Sequence, residues 1–268
     1  MLSTSLASQR FSTVAKTGRG LWALLGLLIL VQISYPLTSG SVRAAMTVLT
    51  VLLGYLLSVA HAAWSRGARA AVALVATATL GGFAVEAIGV ATGFPFGTYN
   101  YSGQLGPKVL GVPLIIPLAW TWMAWPAWLA ALRLARSAWA RVVVAALGLA
   151  AWDLFLDPQM VAEHYWTWNS PTPALPGVPG IPIGNYAGWL GFALVLMVVL
   201  RYAVGPCEKQ PEDASMLALW LWTYASSVLA HAVFLGLPWS ALWGGVLMGA
   251  VVLPLALPLA LPLVRRRP

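Results

Sequence analysis

The chain has 268 residues, of which 60% are hydrophobic and only 8% are charged, and its mean hydropathy is +0.81. A soluble domain of this length could not cover its surface with so few polar groups, so the composition predicts a membrane protein with several spans. The net charge of +8 does not indicate nucleic-acid binding, because the basic residues lie in short loops between apolar runs, and the single cysteine excludes an intrachain disulfide.

Apolar runs separated by short polar segments follow a basic N-terminal stretch. Residues 1–20 carry three basic residues and no acidic one, and we predict that they form a cytoplasmic tail. We interpret six runs as spans: residues 21–37, 44–64, 70–91, 112–132, 142–157 and 187–204. Pro158 predicts a stop or a kink at the end of the fifth span. Residues 214–264 contain no formal charge and exceed one crossing of about 20 residues, so we place a break at Leu237 and Pro238 between two further spans.

The sequence therefore predicts an all-α fold, a polytopic transmembrane helical bundle of about eight spans. Residues 21–264 would form one domain with outer loops at 92–111 and 158–186, followed by a basic cytoplasmic tail at 265–268. With both termini inside, thirteen of the fifteen Lys and Arg residues lie on the cytoplasmic side, and only Arg43 and Lys108 lie outside. This positive-inside bias supports eight spans and predicts a location in the cell membrane.

Acidic residues are rare, and three of the seven fall within predicted spans. Asp153 and Asp157 are four residues apart, so on a helix they share one face about one turn apart. A carboxylate near hydrocarbon costs about 2.5–3.5 kcal/mol on insertion scales, and two adjacent carboxylates cannot both ionise cheaply. We therefore expect one of the pair to keep its proton near neutral pH. Glu86 lies near the end of the third span, and all three acids could alternatively serve only in helix packing or, for Asp157, at the membrane interface.

Aromatic side chains are unusually frequent, with 15 tryptophans. Trp120 belongs to a fourth span that contains four of them. A wall of aromatic rings suits a long, conjugated apolar ligand, and it also suits a cation, which each ring face attracts by about 0.5–2 kcal/mol. His231 recurs with polar and aromatic residues on one face of the seventh span and is a candidate for either substrate binding or helix packing. In the second span, Gly54, Ser58 and His61 form a similar stripe, for which we predict packing.

Several motifs between residues 86 and 189 together resemble a known family. They are Phe-Pro-Phe-Gly-Thr-Tyr-Asn-Tyr at 94–101, Leu-Gly-Pro at 105–107, Gly-Val-Pro at 111–113, Pro-Leu-Ala-Trp at 117–120, Trp-Asp-Leu-Phe-Leu-Asp-Pro at 152–158, Trp-Thr-Trp at 166–168, and Gly-Ile-Pro at 180–182 with Asn185 and Gly-Trp at 188–189. In combination they resemble the integral-membrane carotenoid hydratases of the carotenoid biosynthesis protein family. The chain departs from the family pattern at 177–182, where a Tyr-Tyr-Gly-Ile-Pro-like stretch is expected.

The resemblance implies addition of water to the terminal double bond of an acyclic carotenoid, giving a tertiary alcohol. Such chemistry needs a dry carboxylic acid to protonate the alkene, aromatic faces to stabilise the carbocation, and a base for the attacking water. We predict Asp153 as the acid and Asp157 or Glu86 as the group that holds the water. The predicted substrate-binding residues are Tyr99, Tyr101, Trp120, Trp166, Trp168, Asn185, Trp189 and His231.

The predicted reaction needs neither a metal nor an organic cofactor. The expected partners are a lycopene-like or C50 acyclic carotenoid, the lipid bilayer and other membrane enzymes of the carotenoid pathway.

Three alternatives remain open from the sequence. A membrane prenyltransferase or carotenoid elongase would use Asp153 and Asp157 to bind magnesium, but it also needs a second Asp-rich motif and basic residues for diphosphate. An end-group cyclase would protonate the same double bond and differ only in how the cation is quenched. A proton-coupled transporter or a pigment-binding protein is compatible with buried acids, although no inverted repeat is evident.

Overall fold

The computed structural model describes the backbone of residues 2–264 and the side chains of residues 18–256. Eight long helices in that part of the chain are α1 Leu2–Ser34, α2 Gly40–Arg66, α3 Ala68–Thr92, α4 Ile116–Leu134, α5 Ala138–Ala162, α6 Ile183–Val204, α7 Ala214–Leu229 and α8 Pro238–Val264. One π-helical turn lies within α3, at Val75–Thr79, and another, Ala230–Phe234, extends α7. The predicted all-α polytopic bundle is confirmed, and the predicted tail at 265–268 lies outside the described residues.

Seven of these helices are long and apolar enough to cross a membrane, and α4 is the exception. Four tryptophans, two prolines and Arg133 lower the hydropathy of α4. Its 19 residues nevertheless extend about 28 Å at 1.5 Å per residue, close to the thickness of the hydrocarbon core. Nearly every residue of α4 from Ala119 to Leu132 is buried, because α2, α3, α5, α7 and α8 all pack against it. This helix is therefore the centre of the bundle.

The fifth helix continues through Pro158 to Ala162, so of the two predicted outcomes at Pro158, a stop or a kink, the stop is wrong. Proline has no N–H group, and it leaves the carbonyl four residues earlier, that of Leu154, without its helical donor. Ser240 of α8 supplies the missing hydrogen bond, because its hydroxyl donates to the Leu154 carbonyl at 2.6 Å. A helix can carry a proline in an apolar environment when a neighbouring helix satisfies the freed carbonyl in this way.

The central helix uses the same arrangement at Pro126. The freed carbonyl belongs to Trp122, and the Ser58 hydroxyl of α2 donates to it at 2.9 Å. Gly54, one turn earlier on α2, allows the close approach, since a Cβ there would lie 2.5 Å from the Trp122 ring. His61, one turn later, accepts a hydrogen bond from another α4 indole at 3.0 Å. The predicted packing role of the stripe on the second span is confirmed.

Replacing Ser58 with Ala is expected to destabilise the protein by about 1–3 kcal/mol, because it leaves a buried carbonyl without a donor. Equilibrium unfolding of the detergent-solubilised protein would measure the difference. Ser65→Ala on the same helix is the matched control, since the Ser65 hydroxyl donates to the His61 carbonyl within α2, where no proline removes a helical donor. Equal stability of the two variants would contradict the role assigned to Ser58.

Both long loops lie at one end of the bundle, which we name the loop end, because they join α3 to α4 and α5 to α6. They contain short antiparallel strand pairs that the sequence did not predict: β1 Tyr99–Tyr101 with β4 Trp166–Trp168, β2 Lys108–Val109 with β3 Val112–Pro113, and β5 Ala174–Leu175 with β6 Val178–Pro182. Arg43 at the start of α2 pairs with Glu163 just after α5. That the loop end faces outward stays a prediction from the charge bias.

Candidate active site

The β1–β4 ribbon aligns four aromatic residues over the helices at the loop end. Tyr99 lies opposite Trp168 and Tyr101 lies opposite Trp166 in the register. Because successive side chains on a strand point to opposite faces, these four share one face, and the residues between them are exposed. The ring centroids of Tyr99 and Trp168 are 5.5 Å apart, and those of Tyr101 and Trp166 are 5.4 Å apart. The ribbon thus covers the end of the bundle with an aromatic layer.

Glu86 of α3 lies beneath this layer and is buried. Its Oε2 atom accepts hydrogen bonds from the hydroxyl of Tyr99 at 2.6 Å and from that of Tyr101 at 2.8 Å. Its Oε1 atom accepts a third from the indole N–H of Trp120 at 3.1 Å. Three donors therefore converge on one carboxyl group, which is the arrangement that suits a carboxylate.

The two tyrosines remain donors at neutral pH. Burial, together with the negative charge of Glu86, raises the pKa of the Tyr99 and Tyr101 hydroxyls above the usual value for tyrosine. A carboxylate has about four acceptor positions, so three hydrogen bonds leave one for a water molecule or substrate. Glu86 is thus able both to carry charge and to bind one further donor.

Asp153 and Asp157 on α5 form the second acidic group, with exposures of 0% and 3%. Asn185, in the first turn of α6, donates through Nδ2 to Asp153 Oδ2 at 2.9 Å and also to Asp157 Oδ2. The indole of Trp166 donates to Asp157 Oδ1 at 3.1 Å. Because one amide nitrogen contacts both carboxyl groups, Asp153 and Asp157 lie side by side. Asp153 Oδ1 is buried and has no hydrogen-bond partner among the described residues.

This geometry is that of two carboxyl groups that share a proton. Asp157 receives donors from both Asn185 and Trp166, whereas Asp153 receives one and has an oxygen left over. A proton on Asp153 would supply a further donor to Asp157 and would avoid two adjacent buried charges. The contacts therefore favour one proton held between the two carboxyl groups.

A cavity of about 50 Å³, which we name the acid cavity, lies between the aromatic layer and the helices. The predicted site residues that line it are Glu86, Tyr99, Tyr101, Trp120, Asp157, Trp166, Trp168, Asn185 and Trp189. Asp153 does not line it but lies behind Asp157. Trp120 and Trp189 stack with centroids 3.9 Å apart. The volume accommodates a few water molecules, so a bulkier ligand requires the surrounding side chains to move.

His231 lies away from the acid cavity, so its position does not support the predicted role in substrate binding. It is buried in the turn after α7, where Nδ1 lies 2.8 Å from the Ser240 hydroxyl and Nε2 lies 3.2 Å from Gln159 Oε1. Its ring also packs edge-on against Phe155. Both nitrogens thus join α7 to α5 and α8, which is a packing role.

Sequence reasoning missed the contribution of the second helix to the acid cavity. Thr47 and Val51 of α2 line it, as does Met160 of α5. Thr47 and Val51 are four residues apart and therefore lie on one face of α2. No charged residue or motif in the sequence distinguishes that face from one that only packs against other helices. Among the side chains of residues 18–256, no three His, Cys, Asp or Glu residues form a group able to hold a metal ion.

Comparisons with known proteins give one family and one curated relative. The model of a family described as carotenoid biosynthesis protein matches residues 46–258. Bisanhydrobacterioruberin hydratase of Haloarcula japonica is 39% identical over an alignment of 167 positions, and the alignment covers 57% of this chain and 55% of that protein. The chain thus matches about half the length of this curated relative. No solved structure matches.

Proposed function

Because this chain belongs to the carotenoid biosynthesis protein family, we propose that it is a membrane hydratase that adds water to the terminal double bond of an acyclic carotenoid, giving a tertiary alcohol. The name of the Haloarcula japonica relative supports hydration as the reaction. The observation that carries the proposal is the buried carboxyl pair of Asp153 and Asp157, bridged by Asn185, beside an aromatic cavity. A desolvated acid of this kind is what protonation of an alkene requires.

Proton transfer is the first step. The π electrons of the terminal double bond form a new C–H bond with the proton, which leaves a cation on the tertiary carbon. The proton held by Asp153 passes to Asp157, which delivers it to the alkene because Asp157 lines the acid cavity and Asp153 does not. The sequence hypothesis made Asp153 itself the acid. The pair acts as the acid, with Asp157 as its reacting member.

Stabilisation of the cation falls to the aromatic layer and to Glu86. Ring faces attract a cation by about 0.5–2 kcal/mol each, and Trp120, Trp166 and Trp168 all line the cavity. The carboxylate of Glu86 adds a fixed negative charge in a site with little water, where electrostatic interactions are strong. These groups are already in position before the reaction, because their hydrogen bonds hold them there.

Water addition completes the reaction. The water oxygen forms a C–O bond with the tertiary carbon, and one water proton leaves to a carboxylate. We assign this base role to Glu86, whose fourth acceptor position is available for a water molecule. Return of that proton to the aspartate pair through water in the cavity restores the starting state, so the net change is alkene plus water to alcohol.

The prenyltransferase alternative is not favoured by these residues. Among the described residues, no Lys or Arg lines the acid cavity, where a diphosphate would need positive charge. The aspartate oxygens instead face amide and indole N–H donors. The cyclase alternative uses the same acid and the same cation, so only the product distinguishes it.

Expression in a host that accumulates lycopene or an acyclic C50 carotenoid tests the proposal. We expect a new pigment that is heavier by one water molecule and carries a tertiary hydroxyl group, as identified by chromatography with mass spectrometry. A ring-containing product of unchanged mass would indicate a cyclase. Unchanged pigment despite confirmed membrane insertion of the protein would favour a transporter or a pigment-binding protein.

A further inference from the structure

A second cavity of about 120 Å³ lies between α1, α2, α5 and α7. It adjoins the acid cavity, because Thr47, Val51, Leu156 and Met160 line both. Roughly half of its lining residues are polar, among them Gln32, Gln159 and Ser227. The acid cavity, apart from Thr47, its carboxyl groups and their donors, is lined by apolar and aromatic residues. The two cavities therefore differ in what they can hold.

Three hydroxyl groups of the second cavity have no protein partner. The oxygens of Tyr35, Thr50 and Thr223 are buried and make no hydrogen bond to any described residue, although Gln159 lies beside the tyrosine. These residues are only 7%, 9% and 2% exposed. They come from three different segments of the chain, and all three line this one cavity.

Buried polar groups of this kind normally have a protein partner or an ordered water molecule, because an unsatisfied hydroxyl is costly. Water is a suitable partner here, since the site is polar and one water molecule needs only about 10–15 Å³ of such volume. A cavity of about 120 Å³ therefore has room for several water molecules. An apolar occupant would fill the space but leave the three hydroxyls unsatisfied.

We infer that the second cavity is a built water site, which supplies the acid cavity with the water that hydration consumes. The supply role rests on the proposed function, whereas the presence of water does not. Each turnover forms one C–O bond from a water molecule and passes one of its protons to a carboxylate, so one molecule must be replaced. The hydroxyl groups hold that replacement beside Thr47 and Met160, where the two cavities meet.

X-ray radiolytic labelling tests the presence of water without reference to activity, because bound water generates radicals that oxidise adjacent side chains. Met160 is 3% exposed and lines both cavities, whereas Met197 and Met248 are 0% exposed and line neither. We expect Met160 in the detergent-solubilised full chain to be labelled at least about tenfold faster than the other two. Labelling of Met160 as slow as that of Met197 would overturn the inference.

A pair of isosteric substitutions tests which groups hold the water. Thr50→Val combined with Thr223→Val removes two hydroxyls without changing side-chain size, and we expect labelling of Met160 to fall severalfold. Thr121→Val is the matched control, because Thr121 is a buried threonine of α4 that lines neither cavity. Labelling that is unchanged in the double variant would show that these hydroxyls do not build the site.

Product analysis of the same variants tests the supply role. We expect the double variant to hydrate its substrate about tenfold more slowly and to release a larger share of isomerised alkene, formed when the cation loses a proton instead of gaining water. An unchanged rate and product ratio would overturn the supply role. If Met160 is labelled but the native chain forms no hydrated product, the water site is supported and the proposed function is the part that fails.

Discussion

Replacing Asp157 with Asn is expected to reduce hydration by about 10²–10⁴-fold, the usual contribution of a general acid. The substitution keeps the size of the side chain and most of its hydrogen-bonding positions, but an amide cannot deliver a proton. Asp157 lines the acid cavity and Asp153 does not, so Asp153 cannot replace it in direct contact with the substrate. Initial rates of alcohol formation in membranes containing equal amounts of protein would measure the loss.

The companion substitution Asp153→Asn tests whether the two carboxyl groups act as one acid. We expect it to reduce hydration to a similar extent, because Asp157 would then lack the neighbour that shares its proton. The double variant should be no worse than either single variant, since groups that act as a unit show non-additive losses. Full hydration by Asp157→Asn, or losses that multiply in the double variant, would contradict the shared-proton arrangement.

Asp213→Asn provides the matched control for burial of an aspartate. Asp213 is fully buried beside the C-terminal end of α2, away from the loop end, and pairs with Arg66 and Arg133. Its loss should lower stability, because it leaves two arginines with a weakened partner, yet it should leave the hydration rate per folded molecule unchanged. Size-exclusion chromatography after heating would report stability independently of the rate. A comparable loss of rate in this variant would mean that burial rather than acidity accounts for the effect at Asp157.

Much of the site was predictable because its residues are out of place in a membrane span. Carboxyl groups such as Glu86 and Asp157 stand out in apolar runs, and a cost of several kcal/mol demands an explanation for each. The two long loops stand out because they are rich in large aromatic side chains, whereas a loop outside the membrane can consist of polar residues. The sequence could not reveal that Tyr99 and Trp168 pair across a ribbon, because that register depends on contacts between distant segments. One such contact is the hydrogen bond between the side chains of Asn100 and Asn169, which are 69 residues apart.

The remaining differences have the same origin in contacts between distant segments. Pro158 predicts a helix stop or a kink when only its neighbours in sequence are considered. The helix continues because the Ser240 hydroxyl donates to the Leu154 carbonyl, 86 residues earlier in the chain. His231 looks like a ligand-binding residue on its own helix, yet its two nitrogens are occupied by Ser240 and Gln159. Thr50 carried no signal at all, since a single hydroxyl in a span is ordinarily satisfied within its own helix.

Glu86→Gln is expected to reduce hydration by about 10²–10⁴-fold, the range for loss of a general base. The amide of the variant cannot take the proton from water. In addition, its NH₂ group replaces one of the two carboxylate oxygens and therefore points at a side chain that is itself a donor. Glu163→Gln is the matched control, because Glu163 forms a partly exposed ion pair with Arg43 at the loop end and does not line the acid cavity. Hydration by Glu86→Gln at the native rate, with Asp157→Asn inactive, would mean that water attacks without help from this carboxylate.

The tyrosine donors allow a graded version of the same test. A hydrogen bond to a charged group contributes about 1.5–3 kcal/mol, which corresponds to a rate change of roughly 10–100-fold if the charged form of Glu86 is the reactive one. We therefore expect Tyr99→Phe and Tyr101→Phe each to slow hydration within that range, and to have no further effect when Glu86 is already glutamine. Because the phenol rings remain, cation stabilisation by the aromatic layer is preserved in these variants. A slowing that persists in the Glu86→Gln background would instead assign the hydroxyls to direct contact with the substrate.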